Sequence, residues 1–168
     1  NRQLLEGHFP RTEYFGRSFM IKGKTVGVLG LGHIGKKVAA LVTAFGANVI
    51  YYDILRQPDQ EEKYGYRFVD FDTLLEQSDI FTVHCPLNEE TRGMISFEQF
   101  KKMKPSAMLI NTARGPIVDE AAMIDALTTG KIATAGLDTY EHEPLPKDHP
   151  LLKLDNVVAS AHAGGNTK

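Results

Sequence analysis

Short apolar runs recur along the chain and predict a series of strands. The runs occupy residues 25–29, 48–52, 79–83, 107–110, 133–137 and 157–160. Several are rich in β-branched residues and are apolar at both odd and even positions, which is typical of strands buried on both faces of a parallel sheet. We therefore expect these six segments to form the sheet of an α/β protein.

The segments between the runs show apolar residues at helical spacing. Helices are predicted over residues 33–46, 70–77, 96–103 and 119–129. Gly46 is expected to end the first helix, Ser96 with Gln99 to begin the third as a capping box, and Asp119 to cap the fourth. Strands that alternate with helices form right-handed βαβ units, so the pattern predicts a doubly wound parallel sheet of the Rossmann type.

The regular pattern covers residues 24–168, which we predict to be one Rossmann domain. Residues 1–23 show no sustained period and are predicted to be an irregular arm or a helix tail. With 168 residues, 42% of them hydrophobic, the chain is long and apolar enough to bury a full core, which excludes disordered and disulfide-stapled classes.

Charge and cysteine content narrow the classes of partner. The formal net charge is −2 without long Lys/Arg runs, so no surface for nucleic acid or anionic lipid is indicated. No apolar run approaches the ~18 residues of a membrane span. The single cysteine, Cys85, excludes an internal disulfide and a cysteine-rich zinc site. We expect a soluble, cytoplasmic protein without a metal.

A G-x-G-x-x-G sequence, Gly30 to Gly35, lies between the first predicted strand and the first predicted helix. This is the context in which the motif binds a dinucleotide. Gly30 allows a tight turn, Gly32 lets a pyrophosphate approach the main chain, and Gly35 lets the helix pack on the strand. The helix N-terminus offers free N–H groups and a partial positive charge to the phosphates. A purely structural glycine turn is the alternative.

Asp53 ends the second predicted strand, 18 residues after Gly35. A carboxylate at this spacing accepts hydrogen bonds from the adenosine ribose hydroxyls and repels a 2′-phosphate, which favours NAD over NADP. The nearby Arg56 keeps NADP open as an alternative.

Polar residues follow the later predicted strands. In chain order they are His84, Cys85, Asn111, Thr112, Arg114, Asp138, Glu141, Glu143 and His162. In open α/β sheets the ligand lies beyond the carboxyl ends of the strands, so these side chains are expected beside the cofactor. Arg114, His162 and the two glutamates have an ordinary alternative as solvated loop residues, and His84 and Cys85 are interpreted as lining the backbone rather than as catalysts.

The set suits redox chemistry on a hydroxy acid. Arg114 can bind a carboxylate in a bidentate fork and polarise an adjacent carbonyl. His162 can donate or accept the proton of a hydroxyl. Glu141 or Glu143 would orient the imidazole ring. Cys85 has no evident basic partner apart from His84, which argues against a cysteine hydrolase.

Most of the chain, from about Gly23 to Thr167, resembles the NAD-binding domain of the D-isomer-specific 2-hydroxyacid dehydrogenases. The segments that carry the resemblance are GKTVGVLGLGHIGKKVA, VHCPLNEETRGMI, INTARGPIVDEAAMIDAL, GLDTYEHEPLP and NVVASAHAGGNT. It implies that Arg114 binds the substrate carboxylate and that His162 is the acid/base. It selects Glu143, which stands before a proline, as the partner of that histidine, and a glutamate there argues against formate as the substrate.

The resemblance also implies a set of cofactor contacts. Besides the three motif glycines they are His33, Ile34, Asp53, Cys85, Pro86, Thr91, Thr112, Ala113 and Asp138, with Arg114 and His162 beside the nicotinamide. Asp138 is expected to meet the carboxamide. Two positions depart from the family pattern: Ala161 replaces a usual proline, and Tyr14 or Phe15 stands where the family often has a tryptophan.

The family builds its substrate domain from both chain ends, so we expect that domain to lie outside these 168 residues. The family also dimerises through its NAD-binding domain, with an arm at the position of residues 1–20, which implies a homodimer. The implied activity is the NAD-dependent interconversion of a 2-oxo acid and a D-2-hydroxy acid. The alternatives are an NAD(H)-sensing, corepressor-like interaction module of the same fold and another kind of Rossmann oxidoreductase. Which 2-hydroxy acid is used stays open.

Overall fold

The computed structural model describes residues 20–165 together with Gly7. The predicted arm at residues 1–23 therefore lies almost wholly outside the described residues, and the proposed domain boundary stays a prediction. Seven strands form one parallel sheet in the order β3-β2-β1-β4-β5-β6-β7. The strands are β1 (Thr25–Leu29), β2 (Asn48–Tyr52), β3 (Arg67–Phe68), β4 (Ile80–Val83), β5 (Met108–Asn111), β6 (Thr134–Leu137) and β7 (Val157–Ala159).

Five α-helices connect the strands in the described part of the chain. They are α1 (His33–Ala44), α2 (Pro58–Tyr64), α3 (Phe71–Gln77), α4 (Phe97–Lys102) and α5 (Glu120–Thr128). Short 3₁₀ turns follow at Gly115–Ile117 and Pro150–Lys153. Among residues 20–165, no helix has both the length and the apolar character that a bilayer crossing requires.

The predicted doubly wound parallel sheet is confirmed. All six predicted strands and four predicted helices are present, with ends within about two residues of the prediction. The Asp119 cap is present as a 2.9 Å hydrogen bond from the Ala122 N–H to Oδ1. Gly46 adopts a left-handed conformation (φ 82°) just after α1, as expected of a terminating glycine.

Two elements, β3 and α2, were not predicted. β3 has only two residues, too few to show a period. α2 has the sequence PDQEEKY and no buried residue, so no apolar stripe marks it. Its ends are instead defined by a proline in the first turn and by Gly65 in the left-handed conformation.

The sheet is buried on both faces, as the apolar runs indicated. Val26, Val28 and Tyr51 belong to one core cluster, whereas Leu29 and Phe81 belong to the other. Neighbouring residues of β1 thus face opposite layers, which follows from the two-residue period of a strand. The strand order reverses direction between β1 and β4, so the chain diverges there and leaves a crevice at the carboxyl ends of these two strands.

Candidate active site

The glycine loop lies at this crevice and is packed backbone against backbone. Gly30 has a φ of 92°, and its N–H donates to the Tyr52 carbonyl at 2.8 Å. A Cβ on Gly30 would come within 2.7 Å of the Cys85 nitrogen, and a Cβ on Gly35 would overlap the Gly30 carbonyl oxygen. Only glycine fits at these two positions, because backbone atoms cannot give way as a side chain would.

Gly32 differs from the other two motif glycines. A Cβ built there meets no atom within 4 Å, so the space above it is open. It lies directly before α1, where the first N–H groups of the helix are available to an anion. An open position flanked by free N–H groups is the shape that a pyrophosphate needs, so the loop fits a dinucleotide.

Asp53 reaches back from the end of β2 to the glycine loop. Its Oδ2 accepts the Leu31 N–H at 2.6 Å, and its Oδ1 accepts the Leu55 N–H at 3.1 Å. Each carboxylate oxygen has a second acceptor site, so both remain able to meet ribose hydroxyls. The two predicted parts of the cofactor site, loop and acid, are thus joined by a direct hydrogen bond.

His33 and Ile34 are exposed in the first turn of α1, directly after Gly32. Pro86 follows β4 on the opposite side of the crevice. The Thr91 hydroxyl donates to the Pro86 carbonyl at 2.7 Å and accepts the Asn88 N–H at 2.8 Å. The described contacts of the Thr91 hydroxyl therefore shape the loop at 86–91.

Cys85 and His84 are both partly buried beside the glycine loop. Burial raises the pKa of the Cys85 thiol to about 11, which keeps it protonated near neutral pH. Burial also lowers the pKa of His84, whose Nε2 lies 2.9 Å from the Thr82 hydroxyl. This thiol is therefore a poor nucleophile, in agreement with the argument against a cysteine hydrolase.

Arg114 is presented by a loop that begins at the end of β5. The buried Asn111 side chain donates to the Arg114 carbonyl at 3.0 Å and accepts the Ala113 N–H at 3.1 Å. Thr112 and the Arg114 side chain are exposed, and Nη1 donates to the Ala113 carbonyl at 2.6 Å. Asn111 thus sets the curvature of the loop that carries the guanidinium.

Gly115 brings the loop that carries Arg114 against the loop that follows β6. A Cβ there would overlap the backbone carbonyl group of Tyr140, so the loops after β5 and β6 touch through their main chains. The Tyr140 N–H donates to Glu143 Oε1 at 3.0 Å, and its hydroxyl donates to the Ser160 carbonyl at 2.8 Å. Tyr140 therefore connects the Arg114 loop with the segments that carry Glu143 and His162.

The predicted histidine and glutamate are in direct contact. His162 Nδ1 lies 2.7 Å from Glu143 Oε2, with the two side chains 47% and 36% exposed. The hydrogen bond from His162, aided by the Tyr140 N–H, holds the pKa of Glu143 below its ordinary value. The structure thus pairs His162 with Glu143, the glutamate that the family resemblance selected over Glu141.

Asp138 braces the loop that carries this histidine. Its Oδ1 accepts the Ser160 hydroxyl at 2.6 Å and the Ala163 N–H at 3.0 Å, and its Oδ2 accepts the Gly164 N–H at 2.8 Å. These hydrogen bonds, that from Ser160 first, lower the pKa of Asp138. His162 has a φ of 51°, a left-handed conformation that costs a non-glycine residue about 1 kcal/mol or more. The bonds to Asp138 hold the chain in that conformation.

All predicted site residues lie beyond the carboxyl ends of parallel strands, and therefore at one edge of the sheet. The sequence placed Asn111 among the polar residues expected beside the cofactor, because it ends an otherwise apolar strand, but its side chain is buried and supports the Arg114 loop instead. Tyr140 and Ser160, which also support the loops, were given no role. Tyr140 carried no such signal, because its contacts depend on loops from three different strands.

Comparisons with known proteins identify the family. The family described as D-isomer specific 2-hydroxyacid dehydrogenase, NAD binding domain, matches residues 1–164. A D-3-phosphoglycerate dehydrogenase of Archaeoglobus fulgidus is 46% identical over 168 residues, which are 100% of this chain and 32% of that protein. A glyoxylate reductase of Thermofilum pendens is 48% identical over 159 residues, covering 94% of this chain and 47% of that protein.

Solved structures give the same result. The crystal structure of D-lactate dehydrogenase with NAD+ from Lactobacillus jensenii has a TM-score of 0.85 at 40% identity, covering 96% of this chain and 52% of that one. The chain spans about a third to a half of the length of these three relatives. All three are named as enzymes, so they give no support to the corepressor-like alternative.

Three findings lead to one conclusion. They are the glycine loop that fits a dinucleotide, the acid joined to that loop, and the family match over nearly the whole chain. The chain belongs to the D-isomer-specific 2-hydroxyacid dehydrogenase family, of which it is the NAD-binding domain.

Proposed function

We propose that this chain is the cofactor-binding part of an enzyme that interconverts a 2-oxo acid and a D-2-hydroxy acid with NAD. The observation that carries the proposal is the 2.7 Å contact between His162 and Glu143 at the sheet edge that also holds the glycine loop. A histidine paired with a carboxylate beside a nicotinamide site is suited to moving the proton that accompanies reduction of a carbonyl.

The cofactor would be held along the crevice. Gly30, Gly32 and the first turn of α1 would bind the pyrophosphate, Asp53 the adenosine ribose and Asp138 the carboxamide. The remaining proposed contacts are His33, Ile34, Gly35, Cys85, Pro86, Thr91, Thr112, Ala113, Arg114 and His162. When bound, the nicotinamide supplies the hydride for carbonyl reduction and accepts it in the reverse direction.

The side chains of this domain would orient the substrate and move the proton. Arg114 would bind the substrate carboxylate through two parallel N–H bonds and polarise the neighbouring carbonyl. Because Nδ1 of His162 faces Glu143, its Nε2 is left to donate a proton to the carbonyl oxygen or to recover it. Glu143 is the positioning residue for this ring, and its lowered pKa keeps it ionised near neutral pH.

The test is turnover by the full-length protein. NADH oxidation is followed over a panel of 2-oxo acids for the wild type, His162→Ala and Arg114→Ala. We expect each variant to lose about a hundredfold or more in kcat/KM, the usual effect of removing an acid/base or a bidentate carboxylate anchor. The exposed His142 and Arg92 provide matched controls, and His142→Ala and Arg92→Ala should stay within about threefold of wild type.

The 168-residue chain itself should bind NADH in a fluorescence titration and turn over poorly. A cleft that cannot close around the substrate does not exclude water or complete the site. Unchanged turnover in both His162→Ala and Arg114→Ala would contradict the assigned roles. A chain that binds no NADH would contradict the cofactor site.

We also propose that the protein forms a homodimer through this domain. Leu41 is 62% exposed and Phe45, directly after α1, is 68% exposed, and their spacing of four residues places them on one side of the helix. Exposed apolar side chains that lie together in this way are typical of a protein interface. Sedimentation of the full-length protein and of its Phe45→Glu variant tests the homodimer. A wild-type protein that sediments as a monomer would contradict it.

The compartment is part of the same proposal: the lone cysteine fits a reducing, cytoplasmic compartment.

A further inference from the structure

A second polar cluster lies just beyond Asp53, and the proposed chemistry does not use it. Arg56 donates from Nε to Glu61 Oε1 at 2.9 Å and from Nη2 to Glu61 Oε2 at 2.8 Å. The Tyr51 hydroxyl donates to the same Oε1 at 2.8 Å and accepts the Gln57 N–H at 2.7 Å. The end of β2, the following loop and α2 are thereby joined through one carboxylate.

Burial and hydrogen bonds within the chain hold this cluster in place. Tyr51 is fully buried, and the Glu61 side chain is only 17% exposed, whereas the Arg56 side chain is 62% exposed. The guanidinium also lies 5.8 Å from the centre of the Phe68 ring. The hydrogen bonds from Arg56 lower the pKa of Glu61, so the pair is fully charged near neutral pH. One forked edge of the guanidinium is therefore already occupied.

The location matters for the choice of cofactor. In Rossmann domains, an acid at the end of the second strand favours NAD, whereas a nearby arginine accommodates the 2′-phosphate of NADP. This chain has both, because Arg56 follows Asp53 by three residues and is the sole Lys or Arg between residues 48 and 62. A phosphate could make a bidentate contact with the Nε–Nη2 edge only in competition with Glu61, and the same carboxylate repels a phosphate at the remaining Nη1–Nη2 edge.

We propose that Glu61 is a specificity-determining residue: it withholds Arg56 from the 2′-phosphate, so that two carboxylates, Asp53 and Glu61, exclude NADP. Asp53 acts by repulsion, and Glu61 acts by neutralising and occupying Arg56. The inference rests on the proposed binding of the adenosine ribose at Asp53.

The two carboxylates should show coupled effects. Asp53→Asn removes the repulsion but leaves Arg56 paired, whereas Glu61→Gln frees Arg56 but leaves the repulsion. Only when both charges are removed does a 2′-phosphate meet a free guanidinium. The gain in NADPH affinity from the double variant should therefore exceed the product of the two single gains, the pattern that a double-mutant cycle detects.

The experiment is a fluorescence titration of the 168-residue chain with NADH and with NADPH. We expect NADPH affinity to rise about threefold for Glu61→Gln, about tenfold for Asp53→Asn and about a hundredfold or more for the double variant, as is reasonable for partly screened charges. NADH affinity should change less than about threefold in Glu61→Gln. Glu62→Gln removes the same charge at the neighbouring, exposed position and should leave both affinities within about twofold.

Arg56→Gln gives a second test that keeps Glu61 in place. In the wild-type background it should leave NADPH affinity within about twofold, because Arg56 is already occupied. When Arg56→Gln is added to the variant that combines Asp53→Asn with Glu61→Gln, most of the gained NADPH affinity should be lost. The stabilisation of the fold by saturating NADPH, measured by thermal unfolding, should follow the same order as the affinities.

Three results would overturn the inference. The first is a several-fold loss of NADPH affinity in Arg56→Gln alone, which would mean that Arg56 already binds the phosphate. The second is a double-variant gain equal to the product of the single gains, and the third is a gain that survives loss of Arg56. A wild-type chain that binds neither cofactor would remove the proposed function and this inference together, whereas the three results above leave NADH binding intact.

Discussion

The two halves of the sheet edge are built in different ways. The glycine loop lies between the central strands β1 and β4, where Gly30 and Gly35 make contacts that leave no room for a Cβ. The His162 loop follows the exposed edge strand β7, where Val158 is 74% exposed. That loop is held by hydrogen bonds to Asp138 and Glu143. Sterics therefore fix the cofactor half, whereas polar side-chain contacts fix the half that carries His162, here called the catalytic half after its proposed role.

The two halves should therefore be sensitive to different kinds of change. Backbone contacts in a packed core do not depend on charge, so the cofactor half should tolerate changes of pH and lose its structure only when atoms are added. The hydrogen bonds of the His162 loop depend on the charged carboxylates Asp138 and Glu143, so this half should respond to charge and pH while the core stays folded.

The largest effect is expected from Gly35→Ala. The added Cβ would overlap the Gly30 carbonyl oxygen, so the helix or the loop must move. We expect a loss of at least about 3 kcal/mol in the free energy of unfolding, at the upper end for added core atoms. That corresponds to a Tm lower by roughly 6 to 12 °C in thermal unfolding followed by circular dichroism.

Gly32→Ala is the matched control, since a Cβ there meets nothing within 4 Å. We expect it to cost less than about 1 kcal/mol of stability, as an alanine before a helix does. NADH affinity should nevertheless fall, because the methyl group points into the space proposed for the phosphates. Equal Tm values for the two variants would contradict the steric account of the cofactor half.

An intermediate, local effect is expected from Asp138→Asn. This change replaces one of the two oxygens that hold the 160–164 loop by an amide N–H₂ group. Hydrogen bonds to a charged group contribute about 1.5–3 kcal/mol, so the amide protection of Ala163 and Gly164 should fall by roughly tenfold or more. Hydrogen exchange measures this directly.

Asp155→Asn is the control, because this exposed carboxylate precedes β7 at the opposite edge of the sheet. Protection of the 160–164 loop should not change in that variant. If Asp138→Asn also leaves it unchanged, the carboxylate does not brace the loop.

The smallest effect is expected from acid, through Glu143. Its pKa is lowered in the folded state, first by His162, so its contribution to stability is present above about pH 4.3, the ordinary value for a glutamate. The contribution is lost as the pH falls through the lower, folded-state pKa. Because both side chains are partly exposed, we expect less than about 1 kcal/mol.

Thermal unfolding of the wild type and of Glu143→Gln between pH 7 and pH 3 measures this effect. The wild type should be slightly more stable at neutral pH, and the difference should shrink as the pH falls below about 4.3, the ordinary value for a glutamate. A difference that does not shrink with falling pH would show that Glu143 supports the loop by packing rather than by charge.

Much of the fold was predictable because its signals are local. Apolar runs gave six strands, and the run at 25–29 coincides with β1. The capping pattern at Ser96 was confirmed by a 3.1 Å hydrogen bond from its N–H to Gln99 Oε1. α2 was not predicted because none of its residues is buried, and the Arg56–Glu61 ion pair was therefore not predicted either. An arginine and a glutamate five residues apart do not predict an ion pair until the helix that carries Glu61 is known.

By itself, the sequence determined the parallel sheet, the dinucleotide loop and the identity of the acid and base candidates. These depend on residue types at short spacings, where strand and helix periods and glycine conformations decide the outcome. The tertiary structure alone decided which groups meet across 20 residues or more: Leu31 with Asp53, Gly115 with Tyr140, and Asp138 with Gly164. Such contacts arise from the order of the strands in the sheet, and that order is a property of the whole packed core.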